Sequence, residues 1–119
     1  MDPIALQQNA CEAAQLMKAL SNPHRLAILC CLLEGEKSVG HLVPLIGLSQ
    51  SALSQHLARL RRDRLVRTRR ASQTIYYALD GTHAHAVLDT LHRLYCRDDA
   101  AAGREAALAN ARVAPRLDA

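Results

Sequence analysis

With 119 residues, half of them hydrophobic but no Trp, no Phe and only three Tyr, the chain suits one domain built on an aliphatic core. Its net charge of +4 and pI of about 9.2 are carried unevenly: seven of its fifteen lysines and arginines fall between Arg59 and Arg70, which favours a polyanionic partner over general stickiness. No apolar run approaches the ~20 residues that cross a bilayer, and Met1-Asp2-Pro3-Ile4-Ala5 has no basic start leading into an apolar stretch, so the expectation is a cytoplasmic protein with no secretory signal and no membrane partner.

Residues 4 to 20 place Leu6, Ala10, Ala13, Leu16, Met17 and Leu20 at helical spacing and predict a first helix. Ser21-Asn22-Pro23 supplies a cap with proline in the first turn of a second helix, which runs through Arg25-Leu26-Ala27-Ile28-Leu29-Cys30-Cys31-Leu32-Leu33 and stops at Gly35. Ser38 can cap a short third helix over Val39, Leu42, Val43, Leu45 and Ile46, with Pro44 inside it as a source of kinking or shortening. Gly47 makes the turn, and Ser49 caps a fourth helix that ends near Asp63. On this helix, at about 100° per residue, Leu53, Leu57 and Leu60 share one face while Ser51, Gln55, Arg59 and Arg62 fall on the opposite one.

The runs Leu65-Val66-Arg67-Thr68-Arg69 and Thr74-Ile75-Tyr76-Tyr77-Ala78-Leu79 are rich in β-formers. Their linker, Arg70-Ala71-Ser72-Gln73, is short enough for a hairpin although it lacks the Asn-Gly of the tightest turns. A fifth helix over about 83 to 97 lines up Val87, Leu88, Leu91, Leu94 and Tyr95. The alanine-rich remainder has little to bury, which predicts a domain over 1–98 and a tail over 99–119 that is a frayed helix or disordered. Aliphatic helices with an apolar stripe left over point to a homodimer.

Three helices, a recognition helix and a hairpin wing make a winged helix-turn-helix, mainly α with a small β-hairpin. A helix that begins with short polar side chains, ends in arginine and runs into a basic hairpin suits duplex DNA: small side chains reach base edges while guanidiniums hold phosphates. The runs Ala19-Leu20-Ser21-Asn22-Pro23-His24-Arg25-Leu26-Ala27-Ile28-Leu29, Leu48 to Leu60 and Thr74-Ile75-Tyr76-Tyr77 together resemble the ArsR/SmtB family of bacterial repressors, over about residues 15 to 97. The resemblance implies a homodimer built on the first and fifth helices that binds an inverted-repeat operator in double-stranded DNA until an inducer releases it. It makes Ser51, Ser54, Gln55 and His56 candidates for reading bases, with Arg59, Arg62, Arg69 and Arg70 on phosphates and the wing, and Gln50 and Gln73 as further DNA contacts.

The inducer is the open question. Many metal sensors of this family carry Cys-Val-Cys at the start of the third helix; the matching stretch here is Ser38-Val39-Gly40-His41-Leu42, so that soft-ion site is not expected. The family's other metal pattern, ligand-x-ligand-x₁₀-ligand-x₂-ligand across two subunits, is met in spacing by His83, His85, Cys96 and Asp99, an alternative site for zinc or nickel. In a reducing compartment the four cysteines are thiols, ligands or sensors rather than a disulfide framework. Cys30 at the end of Arg-Leu-Ala-Ile-Leu-Cys and Cys96 in Leu94-Tyr95-Cys96, with Gln73-Thr74-Ile75-Tyr76-Tyr77, resemble the BigR/SqrR/HlyU branch of the family. That branch implies sensing of persulfide or polysulfide by the Cys30–Cys96 dithiol, with no cofactor. Cys31 points about 100° away from Cys30 on the same helix, and Cys11 has no assigned role beyond packing or an off-site thiol. A thiol enzyme and a non-DNA interaction module are the remaining classes. No glycine-rich loop offers an oxyanion site and no Cys-x-x-Cys is present, so catalysis is not expected and no catalytic residue is assigned.

Overall fold

The structure, a computed structural model, describes residues 2–95. Helix α1 spans Pro3–Leu20; Asp2 caps it by accepting from the Ile4 amide at 3.2 Å, and Pro3 sits where a helix lacks a partner for its N–H. Helix α2 spans Pro23–Leu32, capped by Asn22, whose Oδ1 accepts from the amides of His24 and Arg25. A two-residue strand, β1 (Lys37–Ser38), leads into helix α3 (Val39–Ile46), where the Ser38 hydroxyl accepts from the His41 amide. Gly47 ends α3 in the left-handed conformation at φ 78, which its missing Cβ allows. Pro44 lies inside α3 without ending it. Helix α4 spans Gln50–Arg62, capped by Ser49.

Helix α4 ends without a glycine. Asp63 is its C-cap and Arg64 takes the left-handed conformation at φ 62. The Leu65 amide donates back to the Leu60 carbonyl and the Arg64 amide to the Arg61 carbonyl, the paired bonds of a Schellman motif. Strands β2 (Val66–Ala71) and β3 (Thr74–Leu79) follow, then helix α5 (Thr82–Tyr95). The sheet is antiparallel in the order β1-β3-β2. The fold is therefore the expected winged helix-turn-helix, with two differences of detail, in β1 and in the hairpin turn. Strand β1 adds a third strand that its two residues could not announce, because its only ladder is to Tyr76 and Tyr77, far along the chain. The hairpin turn is Ser72-Gln73 alone, since Ala71 pairs with Thr74; Arg70 and Ala71 belong to β2, and Ser72 supplies the positive φ of 60 usually left to glycine. Helix α5 is described to Tyr95, so the expected continuation to 97 and the 99–119 tail lie outside the described residues.

The core is aliphatic: Ile28 and Leu29 of α2, Leu42 of α3, Leu53 and Leu57 of α4 and Leu88 of α5 are fully buried. Helix α2 lies at its centre, packed by α1, α3, α4 and α5. Helix α1 meets this body mainly through its C-terminal part, where Leu16 packs against the core. Of its eighteen residues Ala19 and Leu20 are buried, whereas Ile4, Leu6 and Met17 of its apolar stripe are exposed.

Candidate nucleic-acid interface

Helix α4 divides as its spacing demands. Leu53, Leu57 and Leu60 are fully buried, and Ser51, Ser54, Gln55 and Arg62 are exposed on the other side, with Gln50 exposed at the first turn. These side chains are short near the N-terminus and long and cationic near the C-terminus. That gradient leaves the first turns open to close approach and puts the positive charge of Arg61 and Arg62 at the other end of the exposed face, the order in which a duplex would need base contacts and phosphate contacts.

Two of the expected DNA contacts sit differently. His56 is half-buried with its ring 5.8 Å, centroid to centroid, from that of His24 in the first turn of α2. Burial, then the neighbouring positive Arg25, His24 and Arg59, hold its imidazole below the ordinary range. Arg59 lies on the same flank, half-buried, with Nε 3.6 Å from Oδ2 of Asp63 one turn on. In both cases the side chain turns toward the body of the molecule rather than along the exposed Ser51–Gln55–Arg62 stripe.

The wing is basic and partly self-neutralised. Arg69 forks its Nε and Nη2 onto the carboxylate of Glu36, and its guanidinium lies 4.7 Å over the Tyr76 ring. Arg67 donates to the Leu79 carbonyl at 2.8 Å and faces Asp80 at 3.9 Å. Arg70 and Gln73 are exposed at the tip, where Arg70 donates to the Ser72 carbonyl at 3.2 Å.

Cys30 and Cys31 occupy the last turn of α2, both half-buried against the core, and Cys11 is exposed on α1. The Cys31 thiol is pushed above the ordinary range by burial and by Glu34, against a smaller opposing pull from Lys37. Lys37 is itself nearly buried, with its ammonium 3.6 Å from Glu34. Helix α5 packs on α2, and its chain runs directly from Tyr95 into Cys96, which lies outside the described residues, as does Asp99. His83 and His85 are exposed in the first turn of α5; among the described residues no group of three or more His, Cys, Asp or Glu is placed to hold a metal ion. Among the described residues no helix is long and apolar enough to cross a membrane.

Two residues escaped the sequence reading. Arg25 is buried and donates from Nε to the Ala19 carbonyl at 2.8 Å and from Nη2 to the Lys18 carbonyl at 3.3 Å, clasping the end of α1. The signal was present: Arg25, Ile28, Leu29 and Leu32 follow i, i+3, i+4, i+7, which puts the arginine on the buried stripe. Glu36 left no local signal, because its partner is on another element.

Comparison with known proteins gives a consistent picture. Residues 22–68 match the model described as bacterial regulatory protein, arsR family. The transcriptional activator HlyU of Vibrio cholerae is 53% identical over 92 residues, 77% of this chain and 85% of that protein. The biofilm growth-associated repressor of Xylella fastidiosa is 40% identical over 94 residues, 79% of this chain and 82% of that protein. The solved structure of reduced HlyU from Vibrio cholerae superposes with a TM-score of 0.76 at 53% identity, covering 78% of this chain and 98% of that one. These relatives are named as regulators of transcription, not as enzymes.

Proposed function

The chain belongs to the arsR family of bacterial regulatory proteins, a family of DNA-binding transcriptional regulators, and on that footing we propose that it is a homodimeric repressor released from its operator by reactive sulfur. The observation that carries the DNA-binding half is the exposed Ser51–Gln55–Arg62 stripe of α4, directly opposite the buried leucines and beside a basic wing. Ser51, Ser54 and Gln55, with Gln50, read base edges in the major groove, and Arg62 and the wing tip at Arg70 and Gln73 hold the backbone. Dimerisation uses the faces a single chain leaves open. Ile4, Leu6 and Met17 on α1 and Leu94 on α5 are exposed, and an apolar groove of about 540 Å³ runs between the two helices past Leu16, Met17, Ala84 and Val87. A second copy covers them, which spaces the two recognition helices for an inverted repeat.

Relatives of both signs exist, one named an activator and one a repressor; repression with release is the simpler device for a thiol switch. Helices α5 and α2 are packed together, and Cys30 lies in the last turn of α2, which supports a sensor that links these two helices; the pairing of Cys30 with Cys96 is carried by the resemblance of their sequence surroundings. One thiolate takes the terminal sulfur of a persulfide, releasing the donor's thiol. The second thiolate attacks the resulting protein persulfide, closing a disulfide and releasing sulfide. A bridge that keeps extra sulfur consumes a further persulfide.

Operator binding before and after glutathione persulfide, with mass spectrometry of the product, tests the reading. Cys30→Ser and Cys96→Ser should each bind the operator and fail to respond, while Cys11→Ser responds. Release by Cys30→Ser moves the sensing role to Cys31. Release that needs Zn(II) and is lost in His85→Ala replaces the sulfur reading with the metal one at His83, His85, Cys96 and Asp99.

A further inference from the structure

We propose that Glu36 is a positioning residue of the DNA-binding surface, and that Arg69 is its anchor point in the wing rather than a ligand for phosphate. The segment from Glu34 to Ser38 touches three parts of the molecule at once. It leaves the end of α2, pairs through Lys37 and Ser38 with Tyr77 and Tyr76 of β3, and caps α3 through the Ser38 hydroxyl. Glu36, one residue before β1, then reaches across to β2 and takes the fork of Arg69. The sheet order places β3 between the two, so the ion pair ties the outer strand of the wing back to the connection between α2 and α3.

Exposed ion pairs usually contribute little, because water and salt screen them and two flexible side chains must be held still. This one meets the conditions under which a pair fixes geometry. It is bidentate, which sets the plane of the guanidinium as well as its distance. The guanidinium also lies over the Tyr76 ring, with Cζ 4.7 Å from the ring centroid, so the arginine is held by an anion and an aromatic face together. The Arg69 guanidinium accordingly keeps the Glu36 carboxyl below the ordinary carboxylate range. A phosphate contact by Arg69 would have to displace a carboxylate that already fills its fork, whereas Arg70 and Arg62 have no internal anion among the described contacts.

Two measurements decide the matter, one with DNA and one without. In duplex affinity measured against salt, Arg69→Ala and Glu36→Gln should each weaken binding by about two- to five-fold at every salt concentration. The log–log salt slope should stay at its wild-type value. The exchanged pair, Glu36→Arg with Arg69→Glu, should recover most of the loss. In hydrogen exchange on the free protein, Glu36→Gln should speed the amides of β2 beyond Arg69, and the exchanged pair should slow them again. A slope that falls by about 0.9 for each Arg69 removed makes Arg69 a phosphate ligand and overturns the proposal. Tighter DNA binding by Glu36→Gln also overturns it, since Glu36 would then be competing with DNA. If the wild-type protein ignores duplex DNA, the DNA-binding function fails, and unchanged β2 exchange in Glu36→Gln is what overturns the tie between Glu36 and Arg69.

Discussion

The rings of His24 and His56 lie 5.8 Å apart, so the first turn of α2 and the middle of the recognition helix meet through two titratable side chains. Arg25 and Arg59 add fixed positive charge to the same neighbourhood. His56 is held below the ordinary imidazole range, first by burial and then by those charges, so the folded chain binds fewer protons there than the unfolded chain. Stability from this site is therefore complete above about pH 6.5 and declines as the pH falls below it. His56→Gln should flatten the acid limb of urea-midpoint against pH below about 6.5. Superimposable acid limbs for the two proteins would count against this.

The clasp made by Arg25 should matter more than a charged side chain in the first turn of a helix usually does. Arg25→Met keeps much of the apolar stem but leaves the Ala19 and Lys18 carbonyls without their charged donor. The expected loss is about 2 kcal/mol in urea unfolding, with an unchanged denaturant slope. A loss below about 0.5 kcal/mol would mean that water serves these carbonyls equally well.

Cys31 should be the slow thiol. Burial and Glu34 keep it protonated above the ordinary thiol range, so iodoacetamide at neutral pH should label exposed Cys11 well before Cys31. Glu34→Gln should quicken Cys31 labelling modestly, most visibly at low salt, where the exposed carboxylate is least screened. Equal rates at Cys11 and Cys31 would contradict the burial argument.

Substitutions on the open apolar faces should separate assembly from folding. Met17 is 50% and Leu94 is 61% exposed in a single chain, so Met17→Glu and Leu94→Glu remove little that the single chain buries. Sedimentation should show monomers at micromolar concentration with circular dichroism unchanged. Dimers that persist in both variants would move the interface elsewhere.

Arg62→Ala and Gln55→Ala should fail differently on DNA. Losing a phosphate contact weakens all sequences alike and lowers the salt slope by about 0.9 per site. Losing a base-reading amide relaxes preference at one position in each half-site, at about 1–3 kcal/mol. Identical patterns from the two variants would sink the assignment of reading and holding roles.

What was legible in the chain was what is local. Asn22, Ser38 and Ser49 announced three helix starts because a cap acts within three residues, and Leu53, Leu57 and Leu60 announced the buried face of α4 because a helix repeats its own geometry. The pairing of Lys37 with Tyr77, the fork between Glu36 and Arg69 and the inward turn of His56 join distant segments, and no spacing rule reports them. The hairpin read as a looser turn because Ser72 adopts a positive φ that sequence rules reserve for glycine, asparagine or aspartate. Arg25 was legible in position but not in kind, since an arginine on a buried stripe looks like an interruption until its carbonyl partners are seen.

The Schellman closure at Asp63-Arg64-Leu65 has a mechanical consequence. Leu60 and Leu65 are both buried, the Leu65 amide is bonded back to Leu60, and the Leu65 carbonyl accepts from Asp80 at the far end of the hairpin. Helix α4 and the wing are thus joined by a closed, hydrogen-bonded turn rather than by a free linker, and the Glu36–Arg69 tie adds a second point of attachment. The two act on a duplex as jaws of one calliper, so a groove that widens or narrows beside a half-site changes the fit at base pairs no side chain touches.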